Sequence, residues 1–436
     1  MRILQVSNGY PPRAFGGVET HTQRLARVLH RKGHTVRIFT RHSDPEGSDG
    51  DILEEVVDDL AVTSVVNDAR GGQFRDHFLS TAVATAFRQE IRKTRPDIVH
   101  FQHLIGLSGD LPMIARDAGI RCVATVHEYW YACHRVMLQR EDLTPCEGPL
   151  QRDCVACVSG EAASAAEPSE AGRIRTRLAQ RLPWSPASAA GPLVADERFQ
   201  TLRQALDTYD RIVTPSKFVI EELHRQGMPM PTLSTRAIAL GLPTPSKEAT
   251  PSRTEPISES HPLRISFIGH LLPHKGPHIL LEALQELHDL PLRLALHGRR
   301  WEQHPYEAQL GPLLREEPRA RAYGIFADEA LPEILARTDA LVVPSTCPES
   351  FGLATREAML AGRPVISTNC GALPESIRQE QDGLLVPGED PKALAGALRR
   401  LVEEEGLLAR LSEGARSAPI ASMEHYADAI EGFLYA

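Results

Sequence analysis

The sequence has no apolar run approaching the roughly 20 residues that a membrane-spanning helix needs, and its mean hydropathy is -0.25. It is therefore not expected to cross a membrane. Positive charge is also short, with 48 Lys and Arg against 57 Asp and Glu, a net charge of -9 and a pI near 6.1. That balance argues against a nucleic-acid partner, which wants a basic face. No charged leader, apolar stretch and small-residue cleavage site precede the opening strand pattern "MRILQVS", so a cytoplasmic location is expected. No G-x-G-x-x-G follows either opening strand, which sets aside a dinucleotide oxidoreductase. What remains is a globular composition, 42% hydrophobic and 24% charged, over 436 residues, a length suited to two domains.

The first half alternates strand and helix. Near-continuous apolar runs at 2–7, 35–40, 97–102, 122–128 and 211–216 suit strands buried on both faces of a parallel sheet. Between the first two, Leu25, Val28 and Leu29 recur at helical spacing and Gly33 supplies a stop. The stretch 242–262 is rich in Pro, Ser, Thr and Glu and reads as a linker. Beyond it the alternation restarts, with strands expected at 263–269, 292–298, 320–326, 340–345, 364–369 and 383–388. The pattern predicts an α/β protein of two doubly wound, Rossmann-like domains facing across a cleft. Their limits are 1–241, with a cysteine-rich insertion at about 130–200, and 263–416, followed by a C-terminal helix at 417–436 that packs back on the first domain. Residues 160–195 are low in complexity and read as a flexible excursion. Within them Arg173, Arg177 and Arg181 fall at helical spacing, as a solvated face or as an acceptor-side or membrane-surface contact.

The stretch "CPESFGLATREAML" places Glu349 in a loop leaving a strand and Glu357 about one turn into the helix that follows. Backbone N–H groups from about Phe351 to Ala354 would point outward at the positive end of the helix dipole. Such a place receives an anion and offers carboxylates to hydroxyls nearby. A nucleotide sugar has both parts. A bare pair of glutamates eight apart would more often be two surface residues of an amphipathic helix, and it is the surrounding series that decides against this. Pro344-Ser345 precede the pair, Phe351-Gly352 lie inside it, and "AMLAGRPVI", "GALPE" and "DGLLVPGED" follow.

This ordered series resembles the retaining glycosyltransferases of family 4, which have the GT-B fold. "FIGHLLPHKGPHILLEAL", "RIVTPSKFVIEEL" and "GGVETHTQRLARVLHRKGHTV" are similar to other segments of that family, and together they cover most of the chain apart from 130–200. The resemblance implies that Glu357 holds ribose hydroxyls of the donor and that Glu349 contacts hydroxyls of the transferred sugar. It also implies that amides around Phe351, Gly352 and Leu353 hold the sugar and diphosphate. Lys275 looks like the family lysine that neutralises the departing diphosphate, where a fixed ammonium lowers the barrier. Where many members carry Arg after the glycine of this strand, the residue is His270. Gly16 and Gly17 let the backbone approach a phosphate or sugar. His127 matches the histidine that faces the donor sugar, and Glu128, Tyr129 and Trp130 are expected in the acceptor pocket.

Cys133, Cys146, Cys154 and Cys157 form a C-x12-C-x7-C-x2-C cluster. Four thiolates with a closing C-x2-C are what a tetrahedral structural zinc requires. Disulfides and buried thiols are the alternatives, the former disfavoured in a cytoplasmic protein. Some family members share the His-acidic-aromatic start and a similar cysteine pattern.

The reading is thus a glycosyltransferase that moves a sugar from a nucleoside-diphosphate donor, UDP- or GDP-linked, to a small-molecule or glycan acceptor with retention. No catalytic metal or cofactor is expected, and the setting is the biosynthesis of a bacterial-type glycan or natural product. A GT-B sugar-nucleotide epimerase or hydrolase, or a non-catalytic sugar-nucleotide-binding module, is the alternative.

Overall fold

The computed structural model describes residues 1–68, 74–140, 145–146, 148, 154, 157, 186–243, 253 and 255–436. The chain divides into two compact units, Met1–Gly241 with Met423–Ala436, and Leu242–Ser422. The arginine-bearing stretch at 173–181 and most of the low-complexity excursion lie outside the described residues.

The first unit is built on an eight-stranded sheet of order β3-β4-β2-β1-β5-β6-β7-β8. Its strands are β1 (Arg2–Ser7), β2 (Thr35–His42), β3 (Ile52–Val57), β4 (Leu60–Val66), β5 (Ile98–Phe101), β6 (Arg121–Thr125), β7 (Arg211–Thr214) and β8 (Thr235–Ala237). All pairings are parallel except that of β3 with β4. The helix Gly17–Arg31 joins β1 to β2, burying Leu25, Ala26, Val28 and Leu29, and Gly33 at φ 91° reverses the chain behind it. The hairpin β3–β4 and the short β8 were not expected from the sequence. The hairpin turns on Asp58 and Asp59, both at positive φ (52° and 63°). That is the backbone of a two-residue primed turn, here without the Asn-Gly or Asp-Gly that usually announces it.

The second unit carries a six-stranded, all-parallel sheet of order β11-β10-β9-β12-β13-β14. These strands are β9 (Leu263–Ile268), β10 (Leu292–His297), β11 (Ala320–Gly324), β12 (Ala340–Val343), β13 (Val365–Thr368) and β14 (Gly383–Val386). All six expected strands are present, and each ends one or two residues early. The residues shed belong to the loops at the carboxyl edge. The chain runs outward from β9 to β10 and β11, then returns to the other side of β9 with β12. Loops after β9 and β12 therefore diverge at a topological switch point, where open α/β sheets bind ligands. The matching point in the first unit lies between β1 and β5.

The domain limits are corrected at two places. Of residues 242–262, those described do not stand apart as a linker but belong to the second unit. One reason is Asp339, whose fully buried side chain accepts from Arg253 Nη1 at 2.7 Å and Arg264 Nη2 at 2.6 Å. Burial would raise this carboxyl, but the hydrogen bonds and charge of Arg264, then Arg253, hold it below its usual value. The C-terminal boundary falls at 423 rather than 417, because Leu242 N donates to Ala421 O at 2.9 Å. From Met423 the chain joins the first unit as a helix to Ile430 and a wider π turn, Glu431–Tyr435. There Arg121 Nη1 donates to the Tyr435 carbonyl at 2.9 Å, and Lys32 pairs with Glu431 at 2.6 Å.

Candidate active site

In the second unit two loops are pressed together by a glycine. Gly276 sits at φ 69°, and a Cβ there would lie 1.9 Å from the Pro344 carbonyl oxygen. Thr346 N donates to His274 O at 2.9 Å across the same contact. The loop after β9 is thereby docked on the loop after β12, and Lys275 Nζ reaches Glu349 Oε1 at 2.6 Å. Ser345 Oγ donates to the same oxygen at 2.6 Å. A second glycine, Gly371 of "GALPE", passes so close that a Cβ would meet the Glu349 backbone at 2.4 Å, while Ala372 N donates to Glu349 O at 2.7 Å.

The electrostatics follow from this packing. Burial would lower the Lys275 ammonium, yet Glu349 holds it above its ordinary value. Burial would raise Glu349, yet Lys275 keeps it below the usual carboxylate range. Both groups are charged at neutral pH. His274, buried beside them, is pushed down to about 4 by burial and by Lys275. Two thiols that flank Glu349, Cys347 and Cys370, are pushed up to about 12 and about 11 by burial and by that carboxylate, so they are neutral neighbours.

Behind Glu349 the helix Leu353–Leu360 begins at Gly352, which has φ 72° and makes no side-chain cap bond. Its first amides have no partner within the helix. Phe351 is buried, and Arg356 lies over its ring at 3.7 Å while donating to its carbonyl. The ring of Phe351 is thus not available to a ligand. Leu353 and Glu357 are half-buried, Glu357 within the helix as its spacing predicts.

His270 follows Gly269 and touches the edge of Trp301 at 5.1 Å. The guanidinium of Arg299 lies over the same indole at 5.5 Å. Burial, then the charges of Lys275 and Arg299, push His270 below the ordinary histidine value. Arg299 is marked in the sequence only by its place directly after Gly298 at the end of β10. It brings a second fixed cation to the side of His270, where the sequence lacks the arginine expected after Gly269.

In the first unit Gly16 and Gly17 are exposed and open the first helix. The backbone of Gly16 is extended, φ -168°, so space rather than a special dihedral favours glycine. A Cβ there would meet the Glu19 carboxylate, which Asn8 Nδ2 holds at 2.7 Å. His127, just past β6, is 6% exposed. Its Nε2 donates to Gln102 Oε1 at 2.8 Å, and Gln102 Nε2 donates on to Gln5 Oε1 at 2.8 Å. Since Gln102 Oε1 can only accept, Nδ1 of His127 is left as the acceptor nitrogen. Burial, then the neighbouring histidines, keep His127 neutral. Beneath it His100 is fixed between the Tyr435 hydroxyl and Thr125 Oγ1, each at 2.8 Å, and His21 meets the His127 ring edge at 5.3 Å.

The acceptor-side expectation is corrected for two of three residues. Tyr129 and Trp130 are 1% and 2% exposed and pack in the core of the first unit. Glu128 keeps part of its surface, accepts from the Trp130 amide and pairs with His103. As for zinc, no disulfide joins any of the seven cysteines. Cys133, Cys146, Cys154 and Cys157 line one cavity. Among the described residues, however, no three His, Cys, Asp or Glu side chains already stand as a metal-ligand set.

Residues 15–174 match Glycosyltransferase Family 4, and residues 262–404 match Glycosyl transferases group 1. The chain belongs to the family 4 glycosyltransferases. A relative named D-inositol 3-phosphate glycosyltransferase, from Corynebacterium urealyticum, is 25% identical over 410 residues, covering 89% of this chain and 83% of its own. A namesake from Rhodococcus erythropolis is 35% identical over 187 residues, 38% of this chain and 39% of its own. The sucrose-phosphate synthase of Thermosynechococcus elongatus superposes with a TM-score of 0.68 at 20% identity, over 100% of this chain and 98% of that one. Anabaena HepE in complex with UDP and glucose gives 0.65 at 16% identity, over 100% and 99%. These likenesses establish the fold as GT-B. This glycosyltransferase has, among its described residues, no helix long and apolar enough to cross a membrane.

Proposed function

We propose that this glycosyltransferase takes its sugar from a nucleoside-diphosphate sugar, UDP- or GDP-linked, and transfers it to an acceptor hydroxyl with retention of configuration. The observation that carries the reading is the Lys275–Glu349 contact of 2.6 Å, set before a helix N-terminus at the switch point of the second unit. A diphosphate suits the ammonium and the helix amides. Sugar and ribose hydroxyls suit Glu349 and Glu357. As the bond from the anomeric carbon to the diphosphate breaks, the leaving oxygen gains charge that Lys275 stabilises. Arg299 adds a second positive charge beside His270. The same leaving oxygen takes the proton of the acceptor hydroxyl as the new bond forms on the same face. In the first unit, His127 offers a neutral Nδ1 to a substrate hydroxyl, while Gly16 and Gly17 leave room for a phosphate or sugar against the backbone. The binding of UDP and glucose by the HepE neighbour supports a uridine donor. The D-inositol 3-phosphate glycosyltransferases support a small polyol or sugar acceptor. A cytoplasmic setting agrees with seven cysteines and no disulfide.

Thermal-shift screening of UDP-, GDP- and dTDP-sugars, followed by transfer assays and NMR of the product anomer, tests this. Glu357→Ala should weaken nucleotide binding, and Glu349→Ala should mainly lower turnover. Epimerisation of donor without acceptor, an inverted product, or wild-type behaviour of both variants would overturn the reading.

A further inference from the structure

The cysteines of the first unit are not used by the transfer chemistry. Cys133, Cys146, Cys154 and Cys157 all line one cavity of about 20 Å³, room for roughly one water-sized body. Cys154 and Cys157 are each helical and stand three apart in the sequence. Cys154 lies within electrostatic range of the other three. Part of the same lining comes from a loop held in an unusual shape. Val136 and Leu138 take φ of 71° and 51°, a region that side-chain-bearing residues keep only where the surroundings impose it. Cys146 is drawn onto that loop by its amide, which donates to Leu138 O at 2.8 Å. Beside the thiols lies a buried cation. Arg198 is 6% exposed, stacks over Trp130 at 5.1 Å and has Cys133 and Cys154 as its foremost attractive neighbours.

We propose that these four thiols form a structural, all-cysteine zinc site that anchors the cysteine-rich insertion to the end of β6. A thiol turns about one bond between staggered positions; Zn²⁺ would displace its proton to solvent as the S–H bond gives way to a Zn–S bond of about 2.3 Å. Four thiolates around Zn²⁺ carry a net charge of −2, which complements the buried guanidinium of Arg198. With all four positions taken by protein, the metal has no place for water or substrate and acts on folding alone. The site stands whether or not the donor reading holds.

The full chain, purified under reducing conditions without chelators, should carry about one zinc by elemental analysis. A mercurial that titrates thiols should release it, with four thiols modified per zinc. Cys154→Ser and Cys157→Ser should lose at least ten-fold in zinc content, whereas Cys122→Ser, buried in β6 and away from the cavity, should keep it. If the cluster variants fail to fold, alkylation of the wild-type chain followed by mass spectrometry decides. The four cysteines should label at least ten-fold more slowly with zinc than after its removal. Zinc-free protein with four reactive thiols, iron with acid-labile sulfide, a disulfide within the cluster, zinc retained in Cys154→Ser, or labelling indifferent to zinc would each overturn the proposal.

Discussion

Lys275 Nζ and Glu349 Oε1 meet at 2.6 Å although 74 positions separate them in the chain. Their side chains keep 30% and 14% of their surface, so the pair is only partly shielded from water. Removing either partner should destabilise the second unit by about 1–2 kcal/mol, because the other charge is left part-buried. The double variant should cost less than the sum, with a coupling of about 1 kcal/mol in a urea-unfolding cycle. Strict additivity would mean that the contact contributes nothing to the resting enzyme.

Three cationic or basic groups gather at the loop ends of β9 and β10, and they should differ in weight. Lys275→Ala should lower turnover by about 10²–10³-fold, on the scale of one lost oxyanion donor. Arg299→Ala should raise the donor KM about ten-fold. His270→Ala should cost less than either. Because burial, then Lys275 and Arg299, push His270 below its ordinary value, its neutral form predominates from pH 6.5 upward. The ratio of wild-type to His270→Ala activity should therefore stay flat between pH 6.5 and 8.5. A ratio rising toward pH 6.5 would show a protonated His270 serving as the missing cation.

Gly276→Ala should act through geometry alone. A methyl group would lie 1.9 Å from the Pro344 carbonyl oxygen, at a φ of 69°, and backbone on backbone cannot yield cheaply. A loss of about 2 kcal/mol or more is expected, together with turnover reduced nearly as far as in Lys275→Ala. Normal stability and kinetics would show that the two loops are not docked through this glycine.

The first unit should be acid-sensitive. His21 and His100 are held down to about 3, chiefly by burial, and His127 is also lowered well below its ordinary value. Folded, they stay neutral. Unfolded, they bind protons below about pH 6.5. Their contribution is thus present above pH 6.5 and lost as pH falls toward the folded values, at up to about 1.4 kcal/mol per pH unit for each. Denaturant unfolding followed in the first unit should show about 4 kcal/mol less stability at pH 5.5 than at pH 7.5. His100→Asn should flatten that slope by roughly a third.

What the sequence determined by itself is what short-range periodicity and spacing can carry. Apolar runs located all six strands of the second sheet, since a strand buried on both faces must be apolar throughout. The 344–388 series marked the loop after β12 and the helix start behind it as one candidate site, because the helix amides and the two carboxylates lie within one continuous stretch. The β3–β4 hairpin escaped because aspartates at positive φ replaced the expected glycine. Long-range placement was decided only by the tertiary structure. Lys275 finds Glu349 because the chain reverses its crossover direction at β9 and because Gly276 admits Pro344. Arg299 reaches the side of His270 because neighbouring parallel strands end at one edge. Tyr129 and Trp130 are core residues because the chain turns inward after Glu128. The Asp339 carboxylate draws Arg253 out of what reads as linker. In each case the deciding force is steric fit or charge between residues distant in the chain, and no local pattern records which distant residue will arrive.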